Sequence, residues 1–111
     1  MKHPTELVEC LKDSVLSGRG ATEPGLRRAV EARSAELGGR PGAPAGALPP
    51  DLREHVDKIA LYAYTVTDED VAALKAAGWS EDAIFEISIA AALGAGLARL
   101  ERGLSALRGE P

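Results

Sequence analysis

The chain is short of the residues that carry most redox chemistry and most large cores. In 111 residues it has one cysteine, one methionine, one tryptophan, one phenylalanine, two tyrosines and two histidines. A single thiol, Cys10, excludes an intrachain disulfide, a cysteine-built zinc site and a paired-thiol redox centre within one chain. A reducing cytoplasm is then the default compartment. Basic clusters are also missing. Thirteen Lys and Arg stand against 17 Asp and Glu, for a formal net charge of −4, and no stretch interleaves them with aromatics. Nucleic acid and anionic membrane are therefore not the expected partners, since both require a basic footprint. Met1 to Glu9 carries Glu6 and Glu9 and no long apolar run, unlike a secretory leader. The most apolar stretch, Ala83 to Leu100, is interrupted by Glu86 and Arg99. It reads as a buried helix of a soluble protein rather than as a membrane span.

What the chain has instead is 20 alanines, 14 leucines and 12 glycines, a composition for closely packed helices in one all-α domain over 1–111. Thr5 caps a first helix to Ser17, with Leu7, Val8, Leu11, Val15 and Leu16 on one side and Gly18 as its stop. Thr22, Glu23 and Pro24 start a second, in which Leu26, Ala29, Val30, Arg33 and Leu37 recur at helical spacing; Pro is tolerated in a first turn and Glu suits the positive end of the dipole. These two helices form an N-terminal hairpin over 1–37. The segment GGRPGAPAGALPP, residues 38–50, cannot hold regular structure and reads as a connector. It leads into a helical core over 51–111. There, Leu52, Val56, Ile59, Ala60 and Ala63 form an apolar stripe on a third helix. Thr67 with Asp70 three residues on predicts a capping box for a fourth, stopped by Gly78. Ser80, followed by Glu81 and Asp82, starts a fifth helix running to Leu107.

The fifth helix carries two apolar faces. Ile84, Ile87, Ser88, Ala91 and Ala95 mark one; Phe85, Ile89, Leu93, Leu97, Leu100, Leu104 and Leu107 mark the other. A helix apolar nearly all round should be central. Its small residues, Ala90, Gly94 and Ala98 as well as Ala92 and Gly96, predict close approach of a neighbouring backbone, which offsets the roughly 1 kcal/mol that each interior glycine costs. The second face exceeds what one small domain covers and predicts self-association.

Asp51, His55, Lys58 and Tyr62 follow one another along the flank of the third helix. A carboxylate one turn before a histidine orients an imidazole for acid–base work, with Lys58 or Tyr62 to stabilise negative charge. The residues by themselves equally describe a water-facing flank, with Asp51 favouring the helix start and Glu54 pairing with Lys58, and that plainer description is the one the spacing favours. Cys10 lacks a basic neighbour aimed at it and is expected to be buried as a small hydrophobe. Asp68, Glu69 and Asp70 are explained by capping and the helix dipole rather than by a metal ion. His3 has no partner nearby and is given no role.

The sequences LREHV (52–56), AAGWSEDAIFEI (76–87) and AAALGAGLARL (90–100) resemble the alkylhydroperoxidase D-like and carboxymuconolactone decarboxylase family, over about residues 50–107. The resemblance implies an all-helical fold of about five helices, assembled as an obligate homo-oligomer, a trimer or hexamer, with sites near subunit boundaries. In redox-active members a Cys-x-x-Cys followed by His reduces peroxide. Here the slots fall on Ala63, Val66 and Asp70 when counted back from Gly78, and on Val66, Glu69 and Ala73 when counted forward from Glu54. Neither register supplies a thiol or imidazole, so dithiol peroxidase chemistry is excluded. The resemblance leaves a divergent, catalytically silent scaffold, or an acid–base enzyme of decarboxylase type using Glu54, His55 and Tyr62 on a small-molecule substrate. A one-cysteine peroxidase built on Cys10 is a third reading. No cofactor and no metal is implied.

Overall fold

Each helix begins where a residue that favours a helix start stands. In a computed structural model, which describes residues 4–41 and 47–109, five α-helices and one 3-10 turn follow in order: α1 (Pro4–Ser17), α2 (Pro24–Leu37), α3 (Pro50–Tyr62), the 3-10 turn (Ala63–Thr65), α4 (Asp68–Ala76) and α5 (Glu81–Leu107). The fold is all-helical. His3 and residues 42–46 of the Gly/Pro-rich connector lie outside the described residues. Pro24 and Pro50 open their helices, where a missing N–H costs nothing. The Thr67 hydroxyl accepts from the Asp70 N–H and the Asp70 carboxylate accepts from the Thr67 N–H, completing the capping box. The Ser80 hydroxyl accepts from the Ala83 N–H to start α5. Gly78 adopts φ of +105° just past α4, a conformation that favours glycine.

α5 is the axis on which the other helices pack, and α2 makes the most extensive contact with it. Successive contacts give the direction of each neighbour. Thr22 bonds Glu86, Ser34 bonds the Ala91 carbonyl and Arg40 bonds Glu101, so α2 runs parallel to α5. Asp51 meets Trp79, His55 meets Ser88 and Arg99 reaches the Ala60 carbonyl, so α3 does the same. Leu16, Val30, Leu52, Val56, Leu74, Ile84, Ile87 and two alanines of α5 form one core cluster. Each large aliphatic side chain buried there contributes roughly 1.5–3 kcal/mol.

The α2–α5 seam explains the alanines and one of the glycines. A Cβ on Gly94 would press into the Glu31 backbone carbonyl, so α2 sits as close as two helices can. At that distance short polar side chains can face inward. Ser34 is fully buried and spends its hydroxyl on the Ala91 carbonyl. Arg27, Val30, Glu31, Ser34 and Ala35 are the buried residues of α2, whereas Leu26, Ala29, Arg33 and Leu37, expected on the core face, are half-buried. The helix is turned because packing against small residues rewards close approach over apolar bulk.

α1 departs further from expectation. It touches α2 and α5, but only Leu16 of its stripe is buried, and Leu7 and Leu11 are both 53% exposed. Cys10, expected in the core, is exposed, because the first turns of α1 lie off the body. On α3, Leu52, Val56 and Ala60 are buried as expected, while Ala63 falls in the exposed 3-10 turn. α5 is long and apolar enough to cross a bilayer by length and composition, yet its Ile84–Ile87–Ala91–Ala95 face lies in the core.

Candidate functional site

The polar flank of α3 meets α4 and α5 at one corner of the fold. A cleft of about 120 Å³ opens there, lined by Asp51, Glu54, His55, Lys58, Asp70, Ala73 and Leu74. It is smaller than the roughly 300–1,000 Å³ that encloses a drug-sized ligand, so it suits a group of a few heavy atoms. Two open grooves elsewhere are larger, about 240 and 310 Å³. The first has no buried polar side chain in its lining. In the second the buried Arg27 guanidinium gives its Nη groups to the carbonyls of Val15, Gly18 and Thr22, which caps the end of α1, and its Nε has no hydrogen bond among the described residues but faces the Glu86 carboxylate at 3.9 Å.

His55 is the anomaly of the corner. Its spacing suggested a water-facing residue, but it is only 5% exposed. The ring is carried inward because α3 packs Val56 and Leu52 on α5 and His55 falls at the edge of that face. Nε2 lies 2.9 Å from the Ser88 Oγ. Nδ1 is buried without a hydrogen-bond partner among the described residues. An unpaired buried ring nitrogen is costly, of order 1–3 kcal/mol. Burial pulls the imidazole pKa below 6.5; the Asp70 carboxylate opposes that and the Lys58 ammonium adds to it. Burial thus favours the neutral ring.

Lys58 does not pair with Glu54, as the sequence suggested. Its Nζ donates to the Asp70 Oδ2 at 2.6 Å, and the same oxygen accepts the Thr67 N–H at 2.9 Å. These bonds, the lysine's first, hold the Asp70 carboxyl below the usual carboxylate range. Asp51 Oδ2 accepts the Trp79 indole N–H at 2.8 Å, and Oδ1 accepts the Leu52 N–H. Glu54 is exposed at the rim and has no hydrogen bond or ion pair among the described residues.

Of the sequence-derived candidates, Glu54 and His55 share the cleft; Tyr62, 55% exposed at the end of α3, is not part of its lining. Asp70 and Ser88 belong to the site and were not singled out for it. Their signals were a capping carboxylate and the one hydroxyl in the buried face of α5. Among the described residues no group of three His, Cys, Asp or Glu side chains could hold a metal ion. Compared with known proteins, the chain matches no family model, no curated protein and no solved structure.

Proposed function

We propose that this chain is a divergent, cytoplasmic member of the alkylhydroperoxidase D-like and carboxymuconolactone decarboxylase family that has lost thiol chemistry and performs acid–base chemistry at the α3–α4–α5 corner. The observation that carries the reading is His55: buried, held by one nitrogen and without a hydrogen-bond partner at the other among the described residues. With Nε2–H donating to Ser88, Nδ1 keeps its lone pair and is a base shut off from water; with the opposite tautomer it is an acid. Ser88 is a positioning residue. Lys58 is committed to Asp70, so anion stabilisation falls to no free cation in the cleft, and Glu54 at the rim is the group placed to pass the proton to solvent. The slots of the dithiol motif hold no sulfur, and Cys10 sits on α1.

The same reading includes self-association through the outer face of α5. Phe85, Ile89, Leu100 and Leu104 are exposed there, and among the described residues no neighbouring element comes within 4 Å of a Cβ position on Gly96, unlike Gly94. A second copy packed on this face would account for both features, and light scattering at micromolar concentrations is expected to return a multiple of 11.6 kDa.

The activity test is deuterium exchange and turnover of small lactones and carbonyl carbon acids, followed by NMR. Wild-type protein is expected to catalyse exchange, and His55→Asn to lower the rate about 10²–10⁴-fold with helicity retained. A folded wild-type protein that exchanges none of them leaves the scaffold reading in place of the enzyme.

A further inference from the structure

The charges that line the cleft identify what it can hold. Asp51, Glu54 and Asp70 bring three carboxylates, Lys58 brings one ammonium and burial favours the neutral ring of His55. The only ammonium is already bonded to Asp70, so an entering anion would have to break that pair and would still face Asp51 and Glu54. Asp51 is hydrogen-bonded by neutral donors alone, and Glu54 is unpaired among the described residues. Opposite them, Ala73 and the buried Leu74 give an apolar wall.

A second observation marks this corner as a binding place rather than a solvated acidic patch. His55, 5% exposed, lines the cleft and has a ring nitrogen without a hydrogen-bond partner among the described residues. Natural proteins rarely leave a buried polar atom orphaned without a use for it, and this one belongs to a residue that lines the cleft. We infer that the cleft binds a small organic ammonium ion, its N–H groups directed to Glu54 and Asp51 and its alkyl part against Ala73 and Leu74. This deepens the acid–base reading of the same site by naming its ligand class, and it sets the site against carboxylate-bearing substrates.

The test is a titration of full-length protein with methylammonium chloride, sodium acetate and, as baseline, sodium chloride at matched ionic strength, following the His55 ring resonances by NMR. Methylammonium is expected to give a saturable shift that acetate and sodium do not. Glu54→Gln, an exposed change that the fold tolerates, is expected to weaken it about fivefold, the size of one partly screened charge at contact distance. Glu69→Gln, a like change of charge outside the cleft, is expected to leave it within about twofold. A saturable shift with acetate, no saturable shift with methylammonium, or equal losses in the two variants would overturn the inference. The ligand class and the chemistry fail separately: methylammonium binding without carbon-acid exchange removes the acid–base reading and keeps this one, and exchange without methylammonium binding does the reverse.

Discussion

α5 has a neighbour on either side, and the two contacts are built on opposite terms. Along α2 the buried polar groups are spent but for the Arg27 Nε, which has no hydrogen-bond partner among the described residues and lies 3.9 Å from the Glu86 carboxylate. Ser34 serves the Ala91 carbonyl, Glu31 pairs with Arg40 at 2.8 Å, and Glu86 accepts from the Ala21 and Thr22 N–H groups and the Thr22 hydroxyl. Burial works against the charge on Glu86, yet these bonds and the Arg27 guanidinium 3.9 Å away hold its carboxyl below the usual range. At the corner with α3 and α4 the helices stand apart, a cleft remains, and a buried imidazole keeps one nitrogen unpaired among the described residues. Close packing with nearly every polar group bonded or ion-paired is the arrangement of a structural seam. A gap with an unsatisfied titratable group is the arrangement of a site.

The sharpest way to break this contrast is at the seam. Gly94→Ala forces a methyl against the Glu31 backbone and is expected to cost about 3 kcal/mol in chemical denaturation; a near-neutral result would mean that α2 yields and the seam is not tight. Glu86→Ala strips partners from two N–H groups and the Thr22 hydroxyl, with an expected loss of about 2 kcal/mol, measured in the same way.

His55→Leu should behave oppositely, keeping the midpoint at pH 7.5 within about 1 kcal/mol of wild type while abolishing exchange activity. Acid separates the two regions further. The folded-state pKa of His55 lies below 6.5, so the unfolded chain takes up a proton first, and the stability due to this group is present above pH 6.5 and lost as pH falls toward the folded value. The leucine variant is expected to lack that loss while keeping the later one, in the carboxylate range, that Glu86 brings. A parallel acid profile in both proteins would show that the ring is not buried in solution. The smallest effect belongs to the outer face. Gly96→Ala is expected to raise monomer stability by up to about 1 kcal/mol but to weaken self-association, read as a lower mass in light scattering at equal concentration.

Local chemistry made most of the helix boundaries legible. Thr67 with Asp70, Ser80, Pro24 and the stops at Gly38 and Gly78 act within a turn of themselves, so their consequences are written beside them, and α5 spans the expected residues. Its two faces were also legible as a pattern, but not which one would be buried; Ile84 and Ile87 are in the core, and Phe85 is 67% exposed. Periodicity reports that a face is apolar, and only the neighbour's shape decides whether it is covered. The same limit governed the site. His55 belongs to a polar flank by spacing, and it turns inward because Ser88 waits 33 positions away. Lys58 had a carboxylate one turn before it in Glu54 and took Asp70, 12 positions on, because the capping box had already oriented that carboxylate. α1 shows the converse: a regular stripe whose Leu7 and Leu11 stay more than half exposed.

One oxygen atom, the Asp70 Oδ2, receives both the Lys58 ammonium and the backbone N–H that starts α4. The wall of the cleft and the first turn of a helix thus draw on a single lone-pair set. Whatever draws Lys58 away from the cleft returns that oxygen wholly to the cap, and whatever frays the cap hands it to the lysine. Any displacement of Lys58 would thereby be read as amide protection at the head of α4, some residues removed from the imidazole and visible by hydrogen exchange without any label on the site itself.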